Sequence, residues 1–487
     1  MYLFLLLVFQ TVSSYLSAQD YIKSDFMVSD QSGFFYESPE LSVNNAGDLV
    51  VIWETTGVGD IRFRTISSSG DQMGPIQQMD TPSTTAETRI THNDTGNFMI
   101  IFGAYRGYWY ILGQTCSPEG VPLTDTIVVD RNTTEMVNFF RSSLHSNREG
   151  QYAVFLPGQD SVIVEMFSAS GEYLSSPVVL KPEASTLLEM YGIMTYSGDL
   201  ILVWMDGSAG DIRGQRYSVD GTPIGDEFQV SYRVDNCFLS NSRICADTAG
   251  NFAVGWTSTL NGQISLYAQL FDAEGTRIGE NIKITDDSSS FSGLGLSMDM
   301  DLDGKFVLAW PDAMGSDTTF IYMQQVSALG VPVGGNFRAT SINNQLSPGT
   351  SLPDQDHPNV RLLRDTIYLT WANYNDDIHY SDLIYANVQK WQMHDITGLP
   401  GFENPEESIS LYPNPSQGSF TLRLPRELKG DLELSVYNSA GTLFIRKAVI
   451  PVGQEINVDL PEMHDGLYYL KIRGDSYQHV SPLIIQK

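Results

Sequence analysis

The stretch Asp247-Thr248-Ala249-Gly250-Asn251-Phe252-Ala253-Val254-Gly255-Trp256 reads as a tight turn followed by a strand. The run after Gly250 is apolar on both faces, with Phe252, Val254 and Trp256 alternating with Ala253 and Gly255. A strand of that kind is sandwiched between layers instead of lying on an open sheet. The same unit returns along most of the chain. Turn glycines Gly47, Gly96, Gly150, Gly198, Gly250 and Gly304 are spaced 49, 54, 48, 52 and 54 residues apart. Six positions after most of them stands a large aromatic: Trp53, Phe102, Trp204, Trp256 and Trp310. Asp365 to Trp371 is a seventh copy with an altered turn. Small residues beside the tryptophan, namely Gly255, Ala309 and Thr370, are expected to make room for the neighbouring layer's indole.

A second glycine series, Gly70, Gly120, Gly171, Gly221, Gly275 and Gly330, closes a third strand in each copy with a hairpin turn. Fourth strands are expected at 76–80, 228–232 and 282–286 in three of the copies. Four-stranded units repeated around an axis make a propeller. The seventh copy stops after its third strand at 383–391. The segment Phe26-Met27-Val28-Ser29-Asp30 has the pattern of a fourth strand and precedes the first copy. It is expected to complete the last blade, because closing a ring removes exposed strand edges. The predicted fold is all-β: a seven-bladed β-propeller over 25–391, a linker over 392–407 marked by Gly398-Leu399-Pro400-Gly401, and a small Ig-like β-sandwich over 408–487.

The 487 residues carry 28 Lys and Arg against 58 Asp and Glu, a net charge of -30. Such a surface repels phosphate backbones and argues against nucleic acid as a partner. Residues 2–9 are apolar, and Leu16-Ser17-Ala18 before Gln19 reads as the cleavage site of a signal peptide over 1–18. No later stretch reaches the roughly 20 apolar residues that span a bilayer, so the processed chain is expected to be soluble, without a transmembrane segment, and monomeric. Of the three cysteines, Cys237 and Cys245 are near enough in sequence to bridge one connection, leaving Cys116 as a packed thiol.

The pattern Ile212, Gln215, Tyr217, Gly221, Gly225, Val230 resembles a propeller repeat of large bacterial exoproteins, over roughly 25–391, which implies a scaffold and no particular reaction. In the last 80 residues the landmarks are Leu411-Tyr412-Pro413-Asn414-Pro415 with Gly418, Val436-Tyr437-Asn438 with Gly441, Val458-Asp459-Leu460, Gly466-Leu467-Tyr468-Tyr469 and a terminal Lys487. This series resembles the type A sorting domain of the Bacteroidetes type IX secretion system. The resemblance implies the type IX secretion machinery as a partner. It also implies passage through the periplasm to the medium or the outer-membrane surface.

Whatever recurs in every blade serves the ring. The column Arg64, Gln114, Glu165, Gln215, Gln269, Gln324, Asn387 is polar in every third strand and is expected to hydrogen-bond between blades. Asp299, Asp301 and Asp303 have the spacing of a calcium loop, but the twelfth place holds Trp310 where glutamate is needed, so a hairpin turn is expected. Two loops between second and third strands stand out as ligand-binding candidates. Tyr105, Arg106, Tyr108 and Trp109 are suited to stacking on sugars or grasping a peptide. Tyr374, Asp376, Asp377 and His379 place carboxylates beside an imidazole. Connections into the first strands carry Phe34, Phe35, Tyr36, Phe139, Phe140, Tyr191, Phe238 and Phe291 on the same face, where a ligand is expected. No nucleophile elbow, zinc motif or phosphate loop is present, and no catalytic residue, metal or cofactor is predicted. The expectation is a secreted or surface propeller binding an extracellular polymer or protein. The alternatives are an extracellular hydrolase or lyase acting on polysaccharide, its carboxylates drawn from different blades, and a structural spacer of the cell surface.

Overall fold

The computed structural model describes residues 21–30, 36–55, 59–79, 81, 85–105, 109–130, 142–183, 187–231, 237–260, 262–286, 289, 291, 295–314, 318–340, 354–374, 383–391, 410–413, 416–424, 432–438, 443–449, 455–460, 466–474 and 477–485. Seven four-stranded antiparallel sheets follow one another along the chain. Their first strands are Tyr36–Val43, Thr85–His92, Ser143–Ser146, Leu187–Met194, Cys237–Ala246, Ser297–Met300 and Asp354–Leu363, in blades 1 to 7. These strands are neighbours of one another around a common axis, the seventh beside the first, so the ring is closed. Seven hydrophobic cores fill the seven gaps between adjacent blades. The chain is an all-β, seven-bladed β-propeller.

Local sequence explains each blade. The first hairpin closes on a residue whose side-chain oxygen accepts backbone amides inside its own turn. Asn44 takes those of Ala46 and Asp48, Asn147 those of Glu149 and Gln151, and Asp301 those of Asp303 and Lys305. Three residues on comes the glycine, as in Gly47 at φ +90° and Gly304 at φ +81°, a conformation that strains any other residue. Asp301 is therefore a turn cap, paired with Lys305 at 3.2 Å. The second strands are buried along their length. Their indoles pack on small residues of the preceding blade: Trp53 with Ala372 and Ala386, Trp310 with Ala253 and Ala268, Trp371 with Ala309. Fully burying such a side chain contributes roughly 3 kcal/mol. Gly255 serves a different neighbour than expected, because a Cβ there would meet Met298 at 3.1 Å and Leu308 at 3.2 Å, not an indole.

The outer strands begin earlier than their apolar residues suggest. They run Pro223–Gln229, Arg277–Lys283 and Pro332–Arg338 in blades 4 to 6, directly from the hairpin glycine. Each is bulged at a glycine of positive φ, Gly225, Gly279 or Gly334. The polar column accounts for those bulges. Gln215 Nε2 donates to the carbonyls of Ile224 and Gly225, and Gln269 Nε2 to those of Ile278 and Gly279. The carbonyls released by the bulge are thus satisfied within the blade, where bonds between blades were expected. At the ends of the column Arg64 reaches the Val28 carbonyl and Asn387 the Ala339 carbonyl, each on a neighbouring blade.

Blade 7 takes its outer strand from the start of the chain. Tyr21–Met27 pairs with Leu383–Lys390, and the amides of Val28 and Ser29 bond the Ile384 carbonyl. The strand thus starts five residues before the 26–30 window and overlaps it at Phe26 and Met27. Cys237 and Cys245 sit eight residues apart on one extended strand, roughly 25 Å. A disulfide spans under about 7 Å between Cα atoms, so the expected bridge is excluded, and Cys245 is a free, buried thiol like Cys116.

The C-terminal residues form a three-stranded and a four-stranded sheet. Strict alternation, as in Glu455, Ile456, Asn457, Val458 and Asp459, turns one face inward. Phe420, Leu422 and Val458 from one sheet and Leu434, Val436, Leu470 and Ile472 from the other share a single core. The linker at 392–407 lies outside the described residues.

Candidate functional site

The seven inner strands wall a central channel of about 640 Å³. An inner strand is a sheet edge, so its outward amides need partners. Neighbouring blades supply them with side chains. Asn359 Oδ1 accepts the Leu41 amide at 3.2 Å, Ser42 Oγ the His92 amide at 2.8 Å, and Ser297 Oγ the Val360 amide at 3.1 Å. Asp299 Oδ2 accepts the Leu362 amide at 2.7 Å.

At one end of the channel the same distortion recurs. Inner strands of blades 1, 2, 4, 5 and 7 carry a bulge near their start. Ser38, Glu87, Glu189 and His357 occupy left-handed backbone at φ 47° to 52°, and Gly295 takes the matching place in blade 6 at φ +72°. Each such non-glycine residue costs on the order of 1–3 kcal/mol. A bulge re-aims the residues that follow it. Two positions on stand Glu40, Arg89, Tyr191, Ser297 and Asn359, and the blade 5 bulge ends at Arg243. Two positions deeper come His145, Asp299 and Arg361. Each blade thus sends a different ionisable side chain into the channel: Glu40, Arg89, His145, Tyr191, Arg243, Asp299 and Arg361, in blade order.

The charges are arranged unevenly. Arg89 is closely engaged: Nε donates to the Ser142 carbonyl at 3.0 Å and Nη1 to the Thr88 carbonyl at 2.7 Å, with Glu87 at 3.1 Å and Glu40 at 3.5 Å from Nη1. Burial pulls its pKa down, but Glu40 and Glu87 more than offset this and hold it above the ordinary value. Glu40 also accepts from Asn359 Nδ2 at 2.7 Å and faces Arg361 at 4.0 Å. Arg243 lies 4.5 Å above the ring of Tyr191 and donates to the Ser242 carbonyl. Burial pushes the Asp299 carboxyl up to about 6, against the opposing pull of Arg361 and the Leu362 amide. Burial, assisted by Arg361, depresses His145 to about 3 and keeps it neutral. Among the described residues no three His, Cys, Asp or Glu side chains gather where they could hold a metal ion.

The residues singled out in the two loops are only partly described. Tyr105 ends a second strand with its side chain 46% exposed, and Trp109 opens the next strand opposite it. Tyr374 pairs with Asp354 at the bulged end of blade 7. Both loops therefore lie at the same end of the ring as the bulges. Arg106, Tyr108, Asp376, Asp377 and His379 lie outside the described residues. Of the aromatics expected in the connections, Tyr191 lies within an inner strand and Phe291 is buried in the core between blades 5 and 6. Phe34, Phe35, Phe139 and Phe140 are outside the described residues. Sequence reading missed the channel ring. Its signal is the column seven residues before the turn glycine, which reads Glu40, Arg89, Ser143, Tyr191, Arg243 and Ser297, changing where the scaffold positions stay constant.

In the C-terminal sandwich, Tyr412 precedes a cis bond to Pro413, and its hydroxyl bonds Glu455 at 2.9 Å. Gly418, at φ +110°, donates to Ser416 Oγ and accepts the Leu460 amide. Gly466 opens a strand in which Tyr468 is buried. Asn414, Pro415, Gly441 and Lys487 are outside the described residues. No helix among the described residues is long and apolar enough to cross a membrane.

These features define a seven-bladed propeller and a C-terminal sandwich. Residues 410–486 match the family described as the secretion system C-terminal sorting domain. In Bacteroidetes this domain, recognised by the type IX machinery, directs export to the cell surface or the extracellular space, and that is where this chain goes. No curated protein matches the chain in sequence. Among solved structures, the GH93 α-L-arabinofuranosidase of Fusarium graminearum is similar at 10% identity and a TM-score of 0.44, covering 76% of this chain and 97% of that one. The polysaccharide lyase Uly1 is similar at 10% identity and 0.45, covering 78% and 94%. The β-propeller domain of the Trilobed protease from Pyrococcus furiosus is similar at 9% identity and 0.43, covering 74% and 99%. Likenesses of this strength identify no ligand.

Proposed function

We propose that the exported propeller, residues 25–391, is a binding protein for an extracellular polymer or protein, and that the ligand enters the channel at its bulged end, the end of the ring at which the strands of Tyr105 and Tyr374 finish. The observation that carries this reading is the channel ring itself. A ring that only held the blades together would repeat one residue seven times, whereas here the seven blades present five kinds of ionisable group, Glu40, His145, Tyr191, Asp299 and three arginines. Residues 408–487 serve transport and stay out of the working site.

A catalytic reading has one observation in its favour, the Asp299 carboxyl raised to about 6, which suits a proton donor. Glu40, the carboxylate nearer the bulged end, is engaged by Asn359 and faces two arginines, which argues for a fixed structural charge. Binding is therefore preferred.

The test is a glycan and protein array probed with the full processed chain and with Thr91→Trp. Thr91 lines the channel, and its hydroxyl makes a single marginal bond, 3.5 Å to the His92 carbonyl. An indole there obstructs the channel with little loss of existing contacts. Binding that disappears in Thr91→Trp, with the thermal midpoint kept, supports the reading; binding that survives it overturns the channel as the site. Shortening of a bound polymer during incubation, lost in Asp299→Asn, would establish the catalytic reading instead.

A further inference from the structure

We propose that the throat of the channel receives the carboxylate of an acidic sugar, held by Arg243 and Arg361 with the Tyr191 hydroxyl beside them. This rests on the channel being the binding site and adds the chemistry of what it takes.

The argument starts from donor accounting. A guanidinium has five N–H donors in a fixed fork. Arg89 uses its donors on two carbonyls and two carboxylates. Arg243 makes one hydrogen bond, to a main-chain carbonyl, and no carboxylate lies within ion-pair distance of it among the described residues. Arg361 makes one, to the Val360 carbonyl, with Glu40 at the 4.0 Å limit. Its charge is nevertheless felt at His145, Cys245 and Asp299, on blades 3, 5 and 6, so it extends into the middle of the channel. Two guanidiniums with spare donors therefore face a concave space in a protein whose net charge is -30.

Charge selects the ligand further. The three arginines of the throat are matched by Glu40, Glu87 and Asp299, and Asp247 and Asp301 also line the channel, so its lining carries no net positive charge. A dianion such as phosphate gains little there. A monoanion placed on the Arg243 side meets unpaired donors, since no carboxylate among the described residues lies within ion-pair distance of Arg243. The planar fork fits a carboxylate in bidentate fashion. Ser38 and Thr91 add hydroxyls to the lining, which suits a polyhydroxylated ligand. A volume of about 640 Å³ takes one or two sugar rings.

The experiment is calorimetry on the full processed chain with oligomers of galacturonate, glucuronate and mannuronate, their methyl esters, and a tripeptide with a free C-terminus. The expected result is binding of at least one uronate oligomer and loss of binding by its ester. Arg243→Gln and Arg361→Gln should each raise Kd about ten- to a hundredfold, with partial recovery in Arg243→Lys. Thermal midpoints verify that each variant is folded. Equal binding of acid and ester, silence from every uronate, or uronate affinity unchanged in both glutamine variants overturns the proposal. So does binding of the tripeptide in place of the uronates. A neutral glycan bound in a way that Thr91→Trp abolishes and the arginine variants leave intact removes this inference while the channel reading stands. Uronate binding indifferent to Thr91→Trp removes the channel reading itself.

Discussion

Gly192→Ala tests whether the inner strands are seated against the preceding blade as tightly as the channel requires. Gly192 lies between Tyr191 and Ile193 on the first strand of blade 4, and its carbonyl accepts Ser143 Oγ at 2.6 Å. A Cβ at this position would stand 2.1 Å from Cδ1 and 2.5 Å from Cε1 of Phe155, a fully buried ring of blade 3. Ordinary contact begins near 3.4 Å, so the ring or the strand must move by more than an ångström. Overpacking of this kind costs roughly 1–3 kcal/mol, and a rigid ring packed on all sides places it toward the upper end. Replacing glycine by alanine in a strand recovers roughly 0.5–1 kcal/mol through the unfolded chain. The steric cost wins, and a net loss of about 2 kcal/mol is expected. Urea denaturation of wild type, Gly192→Ala, Phe155→Leu and the double variant forms a thermodynamic cycle. In the double variant the methyl occupies space that the ring has vacated, so its loss should fall short of the sum of the single losses by about 1 kcal/mol or more. A neutral Gly192→Ala, or strict additivity in the double variant, would refute this account of the interface.

Two further outcomes follow from burial and from the C-terminal match. Burial depresses His92 to about 3, and its Nδ1 lies 2.9 Å from Ser42 Oγ. The unfolded chain therefore takes up a proton near pH 6.5 that the folded protein refuses. This contribution to stability is intact above that pH and is lost as pH falls toward 3, by roughly 1.4 kcal/mol per pH unit. Asp299 acts in the opposite direction between about 6 and its unfolded value. His92→Asn should thus flatten the stability curve measured by denaturation between pH 7 and 5, and an unchanged slope would count against the buried neutral imidazole. Deleting residues 408–487 should leave the product in the periplasm, and recovery from the medium at the wild-type level would contradict the sorting role.

The scaffold was legible because its requirements repeat. A turn glycine, an aromatic six positions on and a polar third-strand residue recur in nearly every blade, since every blade solves the same packing problem. The site was not, because it takes one residue from each copy and so leaves no local motif. Glu40 and Arg361 face each other across 321 positions of sequence, and only the register of the inner strands brings them together. Other misreadings have equally local causes. The outer strands start earlier than expected because the bulges at Gly225 and Gly279 let pairing begin at the hairpin, ahead of the apolar residues. The two cysteines looked close because eight residues bring two side chains into disulfide reach when the chain turns between them, and here it runs straight.

The repeated bulge in the inner strands has a consequence for how such a ring can change. Because the distortion is built into the backbone at the same place in several blades, the side chain it aims inward can be exchanged without re-engineering the sheet around it. The channel then behaves like a combination lock with interchangeable tumblers: a few substitutions, each on a different blade, could retarget it to a new extracellular molecule while the blades stay as they are.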